Sequence, residues 1–200
     1  MAARITRTLF RFTPMASKTK CVLFLLLAVA LLGCGDSASR RKQAAAELRM
    51  FASQFRADST EVAPLNAIIE VLENGCYSFD RTYACGVLRE LGPDAKPAIP
   101  ALIKALNCGD IYVEREAPRA LGAMGKTAAE AVPELVNNLR KTNRDAGWFS
   151  ATALGDIGAP ALTAIPELEI ASQSSAGSMV ESAQKALDKL RALDHATIAE

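Results

Sequence analysis

Two hundred residues, half of them apolar and only 6% aromatic, permit one folded body plus a segment outside it. The net charge of +1 is divided unevenly: residues 1–33 hold five basic residues and no acidic one, leaving 18 basic against 22 acidic residues in the remainder. A mildly acidic body excludes the electrostatic footprint of a nucleic-acid binder.

The first stretch is basic, and Val22 to Leu32 is an uninterrupted apolar run of eleven residues. That falls short of the roughly 20 residues needed to span a bilayer, but it matches the hydrophobic core of an export signal. The run closes on Leu31-Leu32-Gly33-Cys34, which resembles the lipobox of bacterial lipoproteins. The resemblance implies cleavage before Cys34, diacylation of that cysteine, and a membrane-anchored protein of the bacterial envelope facing the periplasm. Several acyl chains anchor stably where one is marginal. Gly35, rather than an aspartate, follows the cysteine, which favours the outer membrane over the inner. Met15 offers a second start, giving the short leader MASKTK. An uncleaved signal anchor and a plain secretory signal are the alternatives. The expected divisions are a signal peptide over 1–33, a lipidated tether and capping helix over 34–61, a repeat domain over 62–192, and a frayed tail over 193–200.

After a polar tether, a helix is expected from Arg40 to Arg56, with Ala44, Leu48, Phe51 and Phe55 on one stripe. A stack of repeats needs its exposed end covered, and that role is preferred here to a membrane-surface helix.

Beyond it the chain repeats itself. Leu88, Leu121, Leu154 and Leu187 stand 33 residues apart, as do Leu91, Met124, Ile157 and Leu190. Ala84, Ala117, Ser150 and Ala183 keep the same step, and so do Val87, Ala120, Ala153 and Ala186. A period of this size marks a stacked repeat. Each unit reads as two helices. The first opens near a proline (Pro100, Pro133, Pro166), whose missing N–H costs nothing at a helix start. The second carries its apolar residues at i, i+3, i+4 and i+7, and the glycines of ALGAMG and ALGDIG read as its stop. Pro118 lies within a second helix, where a kink or a late start is expected.

The pattern A-x-x-A-L-G-x-[IM]-G with a proline eight residues on resembles the HEAT-like repeats, in particular the short bacterial kind of the bilin-lyase relatives. The resemblance covers Val62 to Ala192 and implies an all-α solenoid of four helix pairs behind the capping helix. Asp188 stands where the family has glycine, as in a terminal unit.

No residues read as catalytic. Cys76, Cys85 and Cys108 are expected as free thiols, with a Cys76–Cys108 or a Cys76–Cys85 bridge as the alternatives in an exported protein. No C-x-x-C occurs, and His195 is the only histidine, which leaves no zinc site. Some HEAT-like proteins are iron hydroxylases with His-Glu metal pairs, and this chain has none; no metal, cofactor or enzyme activity is expected. A phosphate loop and a placed serine triad are also missing from the sequence.

A binding face remains. In HEAT-like stacks the second helices line the concave surface. Tyr83, Gly86 and Glu90, then Glu116 and Arg119, then Phe149 and Thr152, then Lys185 turn away from the apolar stripe. Tyr83, Arg119, Trp148 and Phe149 are of the types enriched in interface anchors and form the expected contact with a protein partner. For Trp148 the competing reading is packing, either over the gap left by Gly147 or against the next unit. The function expected is a non-catalytic protein-interaction scaffold held to a membrane by lipid. The alternatives are an accessory subunit of a chromophore- or cofactor-attaching lyase and a structural envelope protein without a discrete ligand.

Overall fold

The computed structural model describes residues 38–58, 62–75, 77–140, 146–173 and 177–198. The lipobox cysteine Cys34, and Cys76, lie outside them.

Helix α1 spans Ala38–Ala57. Leu48, Phe51, Ala52 and Phe55 bury one side of it, against both helices of the first pair, α2 (Ala63–Asn74) and α3 (Ser78–Leu91). Three further pairs follow: α4 (Ile99–Ala105) with α5 (Ile111–Met124), α6 (Val132–Arg140) with α7 (Ala146–Ile157), and α8 (Ile165–Ser172) with α9 (Gly177–Ile198). The second helices α3, α5, α7 and α9 pack in that order, and among the first helices α2 lies beside α4 and α6 beside α8. The chain is an α-solenoid of four pairs behind a capping helix. Among the described residues no helix is long and apolar enough to cross a membrane.

The four columns of the 33-residue period form the spine of this stack. Leu88, Leu121 and Leu154 are 0% exposed and Leu187 is 2% exposed. Met124, Ile157, Leu190 and the small residues Ala84, Ala117, Ser150 and Ala183 are buried with them. Pro64, Pro100, Pro133 and Pro166 each stand within the first two residues of a first helix, where no intrahelical N–H is lost.

Successive pairs are joined by 3-10 segments, Gly92–Ala98, Gly125–Ala131 and Ala159–Ala164. Each starts from or directly follows a glycine with positive φ: Gly92 (59°), Gly125 (58°) and Gly158 (78°). A side chain is strained in that conformation, so the last glycine of each ALGxxG motif does stop its helix. The motif's inner glycine has a different task. A Cβ on Gly122 would lie 3.1 Å from the Ala153 Cα, and one on Gly155 would lie 2.9 Å from the Ala186 Cα. These two glycines let consecutive second helices touch backbone to backbone. At the same register α9 has Asp188, exposed, with no further helix upon it among the described residues.

Three further features complete the stack. Helix α5 runs through Pro118 without a break; the buried proline ring packs while the missing N–H leaves only one carbonyl of the ladder unmatched. Helix α9 continues to Ile198. And two more columns keep the period, Ala95/Ala128/Ala161 and Ala98/Ala131/Ala164, all fully buried. They are the inward side of the 3-10 segments, whose tight winding leaves room only for a methyl group.

Candidate interaction surface

The surface is built where the second helices turn away from the spine. On α3, Phe79 and Tyr83 are one turn apart and stack at 6.0 Å between centroids. Two arginines of α1 lie over them, Arg41 at 5.9 Å from the Phe79 ring and Arg49 at 5.7 Å from the Tyr83 ring. An open groove of about 220 Å³ begins here, with Arg49, Tyr83, Val87 and Glu90 in its wall, and reaches Glu116 on α5. Glu116 binds two arginines: Arg89 of α3 at 3.1 Å and Arg119 of its own helix at 2.6 Å. Arg119 in turn lies 4.2 Å from the centre of the Phe149 ring of α7, and Arg115 lies 5.5 Å from it. Trp148 meets Phe149 with centroids 3.8 Å apart. Arginine and aromatic side chains thus form two groups, one joining α1 to α3 and one joining α3 to α7, with the groove between them, each contact favourable through the ring quadrupole or a carboxylate.

The expected contact residues occupy this surface unequally. Tyr83 is half-buried, Arg119 exposed and Trp148 half-buried. Phe149 is only 3% exposed, which corrects its outward placement: two guanidinium groups and the Trp148 ring roof it over. The space beside Gly147 is occupied from helix α9. A Cβ there would collide with the Met179 Cε of α9 at 2.5 Å, so Met179 closes that gap. Lys185 is exposed and paired with Glu181 on its own helix.

Polar residues at the opposite edge lock the turns. Asp110 caps α5 by accepting from the Tyr112 N–H at 3.0 Å. Glu114, almost fully buried, accepts from the Gly109 N–H at 2.9 Å. Asn138 donates to the Leu106 carbonyl at 3.4 Å across two units. Arg81 donates to the Leu72 carbonyl at 3.1 Å. The sequence pattern held these positions, yet a buried carboxylate at 114 is not legible without the turn it closes.

Cys85 and Cys108 are free thiols. Burial, with the charge of Glu116 adding to it, pushes the Cys85 thiol up to about 12, so it packs as a small apolar group. Among the described residues no cluster of His, Cys, Asp or Glu could hold a metal ion. The side chain of His195 lies outside the described residues.

Residues 99–188 match the family of HEAT repeats. Over these residues, under half of the chain, the sequence is similar to HEAT repeats, and the α-solenoid fold agrees with that similarity. The same fold recurs in the crystal structure of an engineered protein, 23% identical, with TM-score 0.58 over 84% of this chain and 79% of that one. A second engineered protein is 22% identical, with TM-score 0.55 over 84% and 47%. Human deoxyhypusine hydroxylase, solved in complex with glycerol, is 27% identical, with TM-score 0.54 over 64% of this chain and 43% of that one. The HEAT-like stack therefore spans under half the length of that hydroxylase. No curated protein matches the chain.

Proposed function

We infer that the protein is a non-catalytic interaction scaffold, tethered to a bacterial envelope membrane through lipid on Cys34, and that it grips a protein partner with the concave face of its second helices. The observation that supports this reading is the two groups of arginine and aromatic side chains on α1, α3, α5 and α7, set either side of a groove and laid on the buried leucine spine. Such residue types give contact area at low entropic cost. The lipid tether rests on the lipobox resemblance at Cys34, and the bilin-lyase kinship on the repeat pattern alone. The domain divisions at 33 and 61 rest on the same residues.

Two experiments test it. Tyr83→Ala with Trp148→Ala should abolish capture of the partner from detergent-solubilised membranes while leaving the thermal melt in place; undiminished capture would move the partner off this face. Cys34→Ser should leave the chain unprocessed and free of palmitate label, and label entering that variant would refute the lipid tether. A bound chromophore in protein purified from its native host would support the lyase alternative instead.

A further inference from the structure

The second-helix face has a charge of its own, opposite to that of the body. The contacts described above gather Arg41, Arg49, Arg89, Arg115 and Arg119 around only two carboxylates, Glu90 and Glu116. Set these seven aside, and the 18 basic and 22 acidic residues after position 33 fall to 13 and 20. The face is a positive island on an acidic molecule.

Its arginines are not equivalent. Arg89 and Arg119 spend their charge on Glu116. Arg49 and Arg115 rest over Tyr83 and Phe149, and among the described residues neither is in an ion pair. A guanidinium over a ring keeps planar N–H donors that suit a carboxylate.

We propose that the partner presents an acidic segment, its carboxylates paired with Arg49 and Arg115 and one large apolar side chain seated in the groove between α1, α3 and α5. This rests on the reading of the face as the partner's site. A protein segment fits better than an anionic bilayer. Glu90 and Glu116 stand among the arginines, and a plane of phosphates would meet both, whereas a segment can set its carboxylates around them. The apolar floor at Tyr83 and Val87 is recessed in a groove rather than raised to enter a membrane. Complementary charge of this kind steers association and falls off with salt.

The test uses the purified full chain and a fluorescein-labelled, glutamate-rich peptide carrying one tryptophan. Anisotropy should show binding that weakens as salt rises. Arg49→Glu with Arg115→Glu should weaken it roughly tenfold, with the thermal melt unchanged, and Arg49→Lys with Arg115→Lys should retain more of it. Equal binding of the peptide with glutamine for each glutamate would overturn the proposal, as would indifference to the charge reversal. So would vesicles of phosphatidylglycerol binding through these arginines where the peptide does not. If the native partner is lost with Tyr83→Ala and Trp148→Ala but kept with the two charge reversals, the acidic segment is refuted and the scaffold stands. If neither pair releases it, both fail.

Discussion

Single residues in this chain take their meaning from the next unit. Gly155 sits in the interior of α7, and an added Cβ meets the Ala186 backbone at 2.9 Å. Gly86 is also inside a helix, yet nothing lies within 4 Å of its missing Cβ. Gly155→Ala should therefore lower stability by about 1–3 kcal/mol through overpacking, while Gly86→Ala should raise it by about 0.5–1 kcal/mol through backbone entropy. Urea unfolding of the two variants checks both signs. Cys85 gives a pH prediction. Its folded thiol titrates near 12 against an ordinary 9.0, so its contribution is complete below pH 9 and is lost as the pH rises toward 12. The alkaline loss of stability should be shallower in Cys85→Ala than in the wild type. The two glycine roles were hidden in the sequence because one letter serves both a stop and a close approach. Phe149 was hidden too: its spacing reads as outward, and only the arginines of the neighbouring helix together with Trp148 cover it.

The elements show which local signals suffice. Proline at three of the first-helix starts and the leucine stripes of the second helices place the pairs, because both signals depend only on spacing along the chain. The 3-10 segments were less legible, although their alanine columns keep the period, since alanine also suits an ordinary helix. Glu114 belongs at this scale. Glu114→Ala removes the acceptor of the Gly109 N–H in the turn and should cost about 0.5–1.5 kcal/mol, read as a lower urea midpoint; an unchanged midpoint would mean that the turn does not need it. First helices are tied by Arg140 with Glu167 at 2.6 Å and Lys104 with Glu73 at 2.9 Å. The Arg140 guanidinium holds the Glu167 carboxyl below its ordinary value. That contribution is present at neutral pH and is lost as the pH falls through the folded value. These pairs are exposed, so they fix register more than they stabilise.

At the scale of the molecule, a stack of this kind is stable as a sum of neighbouring interfaces. Removing α1, which buries Leu48, Phe51 and Phe55 on the first pair, should expose that pair's apolar side and cause the truncated protein to aggregate. The sequence period foretold this spine, because a repeat that cannot bury its own face must bury it on the next one. The candidate surface was legible only as a list of outward positions; its assembly depends on contacts between units that no single period encodes. The central claim is one shared hydrophobic spine. Leu154 is fully buried within it, and an aspartate there places an unpaired charge among apolar side chains. The deciding measurement is the helical circular-dichroism melt of Leu154→Asp. The shared spine predicts loss of the cooperative transition together with most of the helical signal, and a melt like that of the wild type would contradict it.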